Sequence, residues 1–504
     1  MESLIERYSE KISGVISCPD RVVIYGTLPQ ICYAGGMTSY LYKSGIRIFD
    51  YTKLVEPLKN KIRSNAERLA ADNGLEIEFI RKLRSFRKEE RIKEIVKERG
   101  SHPGLVHIFS AMESCPSYTP WHDKKKGNTF LKSASGRCLH YYFYFIDEEY
   151  GLCYLRVPTW CPFRLQFYFN GHNWLARRLD KEGIGYRLCE NAFLRIDDWE
   201  KAQQLAEGLD VRRLHHTLDR FAKKYCPAIE YFDQDYHWSL MQTEYALDIV
   251  FKRQSDLEPI YENITRRAVL DVKADNIATF LGRKITGAFN DEAGNDFSTR
   301  ISGTRIKHHL GPVSIKMYDK FGLILRIETT VNKVSYFKHH RKVEHRDGTS
   351  SYKLAPLKKS IYSLRDLTKL MRAANHRYLA FISEIDDFTA GMKRLEKVTR
   401  SKSDNKGRNY KGFNFFYSPD RKLFEIILRG EHTISGLRNK DIRKYFPDLS
   451  AGQVSRILKR LRLHGMIKRI GRTYKYYTTN LGRKVMLTGL KIRNLVIIPE
   501  LAQA

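Results

Sequence analysis

A lysine, a tyrosine, an arginine and a glutamate fall on two short alternating stretches within residues 314–330, SIKMYDKFGLILRIETT. Alternation of apolar and polar residues on both sides of a glycine predicts a β-hairpin. If residues 320–322 form a three-residue loop, Gly322 takes the left-handed position and Lys316 pairs with Arg326. One face of this hairpin is then apolar. The other face carries Ser314, Lys316, Tyr318, Arg326 and Glu328.

The polar face of the predicted hairpin has residue types suited to phosphoryl chemistry. Two cations, Lys316 and Arg326, lie beside Tyr318, and they would lower the pKa of its phenol and favour the phenolate that attacks phosphorus. Glu328 is close enough to pair with Lys316 or to hold a divalent ion. Asp319 is a second candidate metal ligand, although the first position of a turn favours aspartate for local hydrogen bonding alone. The alternative is a solvent-facing sheet with cross-strand charge pairs.

The run SIKMYDK followed by LRIE resembles the Tyr-Asp/Asn-Lys and Arg-x-Glu strands of rolling-circle replication initiators of phages and plasmids, over residues 304–330. In that family a tyrosine cuts one DNA strand and keeps the 5′ phosphate, assisted by a divalent metal. The resemblance implies that Tyr318 is the nucleophile and that Glu328 binds Mg²⁺ or Mn²⁺. It also implies that Lys316 and Arg326 clamp the phosphate.

The segment just before the hairpin, TRIKHHLG, adds Arg305 and Lys307 as candidate nucleic-acid contacts. It does not supply the His-hydrophobe-His motif that many initiators use for the metal, because no His-x-His occurs in the chain. Adjacent histidines such as His308 and His309 would point to opposite faces of a strand. The chain therefore departs from the initiator pattern at the metal site.

A second set of carboxylates is typical of a different chemistry. The apolar spacing in residues 238–270 predicts a helix, which would place Glu244 and Asp248 on one face. Together with Asp147 and Asp296, these residues form an alternative site, a metal nuclease in which water is the attacking group. A charged residue at a strand end, as expected for Asp147, is more often a turn former.

The amino-acid composition indicates what kind of partner the protein binds, whichever candidate site is the functional one. The 504 residues contain 89 Lys and Arg against 57 Asp and Glu, a net charge of +32, which favours a polyanionic partner. Nucleic acid is the predicted partner, with DNA favoured, RNA still possible and the oligomeric state left open. Eight cysteines without a CxxC motif, and no apolar run long enough to span a membrane, predict a cytoplasmic protein with no membrane partner.

The last 84 residues, 421–504, contain 19 Lys and Arg against 5 Asp and Glu. Their pattern predicts three helices followed by a hairpin, with the third helix running from a cap at Ser450 to Gly465. Its inward stripe would be Val454, Ile457, Leu458 and Leu461. Its opposite face would show Gln453, Arg456, Lys459 and Arg460.

This order of elements resembles the winged helix-turn-helix domains of transcription regulators. The resemblance implies that the third helix enters a major groove and that a wing at Arg472 and Lys475 touches phosphate. A protein-interaction module is the alternative for this domain.

The patterns together predict an α+β fold class. Residues 1–130 are interpreted as an N-terminal α+β or helical region and residues 131–396 as a central α+β body that carries the candidate site. Residues 397–420 are interpreted as a basic linker, and residues 421–504 as the winged helix.

We expect a nucleic-acid-binding protein of a mobile genetic element that nicks or joins DNA strands through Tyr318, as in replication initiation or transposition. Two alternatives stay open. One is a non-enzymatic DNA- or RNA-binding protein, either a regulator or an RNA-bound scaffold. The other is the metal-dependent carboxylate nuclease.

Overall fold

The computed structural model describes residues 4–81, 85–283, 293–299, 304–383, 388–471 and 473–502. The chain forms two compact units, residues 1–384 and residues 385–504. A large sheet and many helices occur together in the first unit, which confirms the predicted α+β class.

The first unit contains fifteen strands and ten α-helices among its described residues. The strands are β1 (Ile12–Thr27), β2 (Ile77–Phe79), β3 (Gly104–Asp123), β4 (Asn128–Asp147), β5 (Gly151–Pro158), β6 (Leu165–Asn170), β7 (Tyr186–Cys189), β8 (Ala192–Ile196), β9 (His237–Phe251), β10 (Ala293–Thr299), β11 (Thr304–Leu310), β12 (Val313–Lys320), β13 (Ile324–Val331), β14 (Lys338–Glu344) and β15 (Ser350–Pro356). The helices are α1 (Leu4–Arg7), α2 (Ala34–Lys43), α3 (Tyr51–Asp72), α4 (Lys88–Arg99), α5 (Gly171–Lys181), α6 (Trp199–Glu207), α7 (Val211–Tyr225), α8 (Gln254–Asp271), α9 (Ala274–Phe280) and α10 (Leu364–Ser383).

Eleven of these strands form one sheet in the order β10-β11-β12-β13-β9-β1-β6-β5-β4-β3-β2. All neighbours are antiparallel except β2 and β3. Strand β9 lies between β13 and β1, so the hairpin β12–β13 joins the first strand of the chain through it. The boundary predicted between residues 130 and 131 lies inside β4, and the sheet runs through both predicted regions.

The prediction of a helix at residues 238–270 is wrong for its first part, because residues 237–251 form β9. The first half of this strand alternates between buried and more exposed positions, and its second half is buried throughout, so the segment has no single period along its length. Glu244 and Asp248 still share a face, because residues i and i+4 lie on the same side of a strand as well as of a helix. Helical structure begins only at Gln254.

The hairpin β12–β13 forms as predicted, but its register differs by two residues. Lys316 pairs with Glu328, and Tyr318 pairs with Arg326. The turn lies at Phe321 and Gly322, which both have positive φ angles of 58° and 65°. A shift of two residues leaves every side chain on its predicted face, because the side-chain period of a strand is two.

The two faces of this part of the sheet carry different layers. Helix α10 covers the apolar side, where Thr329 donates a hydrogen bond to Asn375 at 2.6 Å. The opposite side, called the polar face below, carries Arg326 and Glu328 and is covered by α5 and the hairpin β7–β8. The side chain of Asn170 caps α5 and accepts a bond from the backbone N–H of His172 at 2.9 Å.

The second unit contains four short strands and seven α-helices among its described residues. They are α11 (Phe388–Thr399), β16 (Lys402–Ser403), β17 (Asn409–Tyr410), α12 (Ser418–Ile427), α13 (Gly430–Ser435), α14 (Asn439–Arg443), α15 (Ala451–Leu463), β18 (Ile467–Arg469), β19 (Tyr476–Thr478), α16 (Asn480–Ile492) and α17 (Ile498–Ala502). A helical series followed by the hairpin β18–β19 is the order that the sequence predicts.

Helix α15 has the predicted cap and stripe. The Ser450 hydroxyl accepts from Gln453 N at 3.3 Å, and the Gln453 side chain accepts from Ser450 N at 2.7 Å, which is a capping box. Val454, Leu458 and Leu461 are buried. The segment 397–420, interpreted as a linker, contributes Val398 and Phe413 to the core of this unit.

Helix α5 lies so close to β1 at Gly171 that a larger residue at this position should destabilise the protein. A Cβ atom on Gly171 would lie 1.9 Å from the carbonyl oxygen of Pro19, so Gly171→Ala forces one backbone segment away from the other. We expect a loss of about 1–3 kcal/mol in the free energy of unfolding. Urea denaturation followed by tryptophan fluorescence measures it, because all five tryptophans lie in residues 1–384.

Gly136→Ala in β4 is the matched control for this substitution. Its Cβ would have its nearest neighbour, Ser117, at 3.7 Å, an ordinary van der Waals distance. An equal loss in both variants would contradict the proposed clash at Pro19.

Candidate functional site

The centre of the polar face is Arg326 of β13, whose side chain is fully buried. Its Nε and Nη2 each donate to a carboxylate oxygen of Asp248 at 2.6 Å. Nη2 also donates to the backbone oxygen of Asn191 at 2.5 Å and lies 3.1 Å from Nε2 of His172. Nη1 has no hydrogen bond among the described residues and lies 3.6 Å from Asp20 Oδ2. Burial raises the pKa of Asp248, but the charge of Arg326 outweighs burial and holds that pKa below its ordinary value.

Three carboxylates from three adjacent strands meet beside this arginine. Asp20 of β1, Glu244 of β9 and Glu328 of β13 each offer one oxygen atom, and these atoms lie within 4.8 Å of one another. We call these residues the acidic triad. Asp20 is brought to it by a break in the register between β1 and β9 that lies between Pro19 and Arg21.

The members of the acidic triad differ in their affinity for protons. Burial raises the pKa of Asp20, but the hydrogen bond from His172 and the charge of Arg326 outweigh burial, and the pKa lies below its ordinary value. Burial and then the negative charge of Glu328 raise the pKa of Glu244. Asp20 therefore releases its proton more readily than an ordinary aspartate, and Glu244 accepts one more readily than an ordinary glutamate.

Two further predicted residues, Lys316 and Tyr318, contact the acidic triad from β12. Lys316 Nζ lies 2.8 Å from Glu328 Oε1 and 3.5 Å from Glu244 Oε1. Burial opposes the charge of Lys316, but the two glutamates outweigh burial and raise its pKa. The Tyr318 hydroxyl donates to Glu328 Oε2 at 2.9 Å. The sequence thus predicted the correct neighbours for these two side chains.

The expected lowering of the Tyr318 pKa is wrong. Burial and then the negative charge of Glu328 raise the pKa of Tyr318 well above its ordinary value. The charge of Arg326 acts in the opposite direction but does not outweigh them, because that guanidinium is already paired with Asp248. Tyr318 is therefore a neutral hydrogen-bond donor in this environment.

Asn191 of the β7–β8 hairpin links the triad to Lys320, the last residue of β12. Its Nδ2 donates to both oxygens of Asp20 at 2.7 and 2.9 Å, while its Oδ1 accepts from Lys320. Asn170 adds a third amide contact to Asp20 at 3.2 Å. Burial and then the charge of Arg326 lower the pKa of Lys320 to about 8. The pKa values of Lys316 and Lys320, which lie on the same face of β12, are thus shifted in opposite directions.

The remaining candidate carboxylates of the first unit lie elsewhere. Asp319 points to the opposite face of β12 and is not part of the triad, contrary to its prediction as a metal ligand beside Glu328. Asp147 accepts from the backbone N–H groups of Glu149 and Tyr150, as a turn former does. Asp296 lies on β10, 3.9 Å from Lys307.

The two basic residues predicted upstream of the hairpin lie on β11. Lys307 pairs with Lys316 in the register of β11 and β12, so it extends the polar face beyond the triad. Arg305 is exposed two residues away and donates to Ser298 Oγ at 3.2 Å. These two cations are available on the side of the site toward the sheet edge.

The predicted nucleic-acid contacts of the second unit fall into two groups. Gln453 and Arg456 of α15 are exposed, and Lys475 is half-buried, whereas Arg472 lies outside the described residues. Arg460 faces inward: it makes two bonds of 2.8 and 2.9 Å to Asp420 and lies 3.9 Å from the centre of the Phe413 ring. Lys459 forms an ion pair with Asp404.

Sequence reasoning missed Asp20, His172 and Asn191. A signal existed for Asp20, because the run ISCPDRVVIYG places an Asp-Arg pair inside an otherwise apolar strand, where a charge needs a partner. Nothing local to His172 or Asn191 identifies them, since their roles arise from the packing of α5 and the β7–β8 hairpin on the sheet.

Comparisons with protein-family models, with curated proteins and with solved structures found no match to this chain. Among the described residues no helix combines the length and the apolar character needed to cross a membrane. The site is therefore interpreted from its own geometry.

Arg326→Met tests the central ion pair. The substitution leaves Asp248 buried without its main partner, and we expect a loss of about 3–5 kcal/mol in the free energy of unfolding, measured by urea denaturation with tryptophan fluorescence. The double variant Arg326→Met with Asp248→Leu removes both charges and should recover part of that loss.

Arg195→Met is the matched control for the arginine substitution. Arg195 is paired with Asp197 at 2.9 Å, but 75% of its side chain is exposed, so we expect a change within about 0.5 kcal/mol. A loss below about 1 kcal/mol for Arg326→Met would contradict a central role of its charge.

The two lysines of β12 give a prediction about pH. After reductive ¹³C-methylation, the Lys320 NMR signal should titrate with a midpoint near 8, because burial and Arg326 favour its neutral form. Lys316 is the internal control and should stay protonated above the ordinary lysine pKa, because two glutamates hold its charge. Lys320→Arg and Lys316→Arg assign the signals, and an ordinary midpoint for Lys320 would contradict the geometry.

Proposed function

We propose that this protein is a nucleic-acid-processing enzyme that cleaves phosphodiester bonds with a divalent cation, Mg²⁺ or Mn²⁺, held by the acidic triad. The observation that carries the proposal is the convergence of Asp20, Glu244 and Glu328 within 4.8 Å. Hard divalent cations prefer carboxylate oxygens, and nucleases use such ions to neutralise a transferring phosphate. Arg326 would add a hydrogen-bond donor for a phosphate oxygen, because its Nη1 is buried near Asp20 without a hydrogen bond among the described residues.

In the first version, water attacks phosphorus. Glu244 would take the proton of the attacking water, because it is the member of the triad that is only partly buried and can be reached by solvent. The bond between phosphorus and the leaving oxygen breaks, and that oxygen receives a proton from Lys316, whose ammonium lies beside Glu244 and Glu328. A bound cation would stabilise the negative charge that develops on the phosphate.

A second version, with Tyr318 as the attacking group, is favoured by one contact. The Tyr318 hydroxyl donates to Glu328 at 2.9 Å, so a base lies within reach of its proton. Attack by Tyr318 would join its oxygen to phosphorus and transfer the phenol proton to Glu328, while the bond to the leaving oxygen breaks and that oxygen takes a proton from Lys316. This is the chemistry that the resemblance to replication initiators implies.

The net charge of +32 supports nucleic acid as the substrate. In the second unit the exposed Gln453 and Arg456 on α15, together with the helical series and the hairpin, support a winged helix that would position the enzyme on DNA. A mobile genetic element is the setting that the resemblance to replication initiators favours.

A cleavage assay with end-labelled single-stranded DNA and Mn²⁺, resolved on a denaturing gel, tests the proposal. We expect free products from the wild type and from Tyr318→Phe, and at least a 100-fold lower rate from Glu328→Gln, of the order seen on loss of one catalytic charge. Mn²⁺ binding measured by electron paramagnetic resonance should weaken in Glu328→Gln and in Asp20→Asn.

Glu56→Gln is the matched control, because Glu56 is half-exposed on α3 and, among the described residues, forms its ion pair with Lys59 at 3.0 Å. A covalent protein–DNA band that disappears in Tyr318→Phe would establish the tyrosine version instead. Intact DNA and no Mn²⁺ binding by the wild type would overturn the enzymatic proposal and leave a non-enzymatic nucleic-acid-binding protein.

A further inference from the structure

Strands β14 and β15 form a separate two-stranded ribbon with an unusual charge. They pair with each other, and among the described residues neither pairs with the large sheet. Residues 338–359 contain seven Lys and Arg against two acidic residues. No ion pair of these seven cations occurs within the described part of the chain. A ribbon with this charge favours a polyanionic partner.

One face of the ribbon exposes large side chains between these cations. Tyr352 is 74% exposed and Leu354 is 56% exposed. They lie opposite Lys342 and His340 of β14, and the His340 and Tyr352 rings are nearly parallel, with an interplanar angle of 18°. Exposed aromatic rings among cations are the arrangement on which unstacked bases bind, with the phosphates held on either side.

The base of the ribbon is fixed to the strands that carry the acidic triad. Leu357 N donates to Phe337 O at 2.9 Å, and both side chains are buried. Leu240 N of β9 donates to Lys359 O at 2.7 Å. Leu240 is four residues from Glu244 along β9, which is about 13 Å, and seven ribbon residues span about 23 Å. The base of the ribbon is therefore attached to the same strand that carries Glu244.

We infer that the β14–β15 ribbon binds single-stranded nucleic acid. Lys338, Lys342 and Arg346 neutralise phosphates, and Tyr352 stacks on a base. This inference rests on the proposed function, since it identifies the form of nucleic acid that is delivered to the acidic triad. A separate two-stranded ribbon is marginally stable in water, so the fixed base is what allows it to present this face.

Fluorescence anisotropy with labelled oligo(dT) in EDTA tests the inference without any cleavage. We expect Tyr352→Ala to weaken binding about tenfold and Tyr352→Phe to bind like the wild type, because the ring provides the contact. The triple variant Lys338→Gln, Lys342→Gln and Arg346→Gln should reduce the slope of log Kd against log salt by about 2, which corresponds to three lost phosphate contacts.

The charge-matched control is Arg47→Gln, Lys53→Gln and Arg68→Gln, three exposed cations around the start and on the surface of α3 that are already paired with aspartates. Its salt slope should equal that of the wild type. Equal slopes for the ribbon triple and the wild type, or tighter binding to a duplex of the same length than to oligo(dT), would overturn the inference.

The two proposals fail in different ways. If the wild type binds oligo(dT) and the ribbon variants bind equally well, only the ribbon assignment is wrong. If the wild type binds no nucleic acid at all, the proposed function is wrong as well. Ribbon variants should retain wild-type Mn²⁺ binding, because none of their substitutions lies in the acidic triad.

Discussion

The central part of the sheet depends on the need to neutralise a guanidinium that has no access to solvent. Arg326 satisfies this need mainly through Asp248 on the next strand, with further contacts to α5 and to the β7–β8 hairpin. A buried charge without a partner would cost several kcal/mol, so β9, β13 and the two covering elements are held in one arrangement. The positions of the surrounding ionisable groups follow from it.

Burial and the nearest charged groups then set the proton affinity of each ionisable side chain around Arg326. Lys320 lies on the side of the guanidinium and loses affinity for its proton, whereas Lys316 lies among carboxylates and gains it. Asp20 receives hydrogen bonds and stays charged, while Glu244 faces Glu328 and becomes more basic. Lysines that can donate a proton therefore lie close to Glu244, which can accept one. Acid–base catalysis requires such a pair of groups.

The sequence was sufficient to predict which residues share the hairpin face and that Lys316, Tyr318 and Glu328 are neighbours, because strand alternation is a local property. It also predicted α15 with its cap at Ser450. It could not predict that β9 lies between β13 and β1, since the pairing of strands more than 200 residues apart is set by the whole fold.

The same limit explains the errors at the site. The segment around Glu244 was predicted to be a helix because Trp238, Met241, Tyr245 and Ile249 recur at near-helical spacing, and that spacing is met by chance in β9. The pKa of Tyr318 was predicted from the two cations of the hairpin alone, whereas burial and the negative charge of Glu328 outweigh the charge of Arg326. Asp20 needed a break in strand register to reach the cluster, and such a break leaves only a weak local trace in sequence.

The position of β1 between β6 and β9 also affects how the chain folds while it is being synthesised. Its partner β6 is complete at residue 170, but its partner β9 begins only at residue 237. A ribosome-bound intermediate can therefore carry β1 with one long side open, which is a template for wrong pairing between nascent chains. Pro19 has no N–H to offer on that side, and the irregularity next to it shortens the regular stretch, so the features that bring Asp20 to the triad also protect the unfinished sheet.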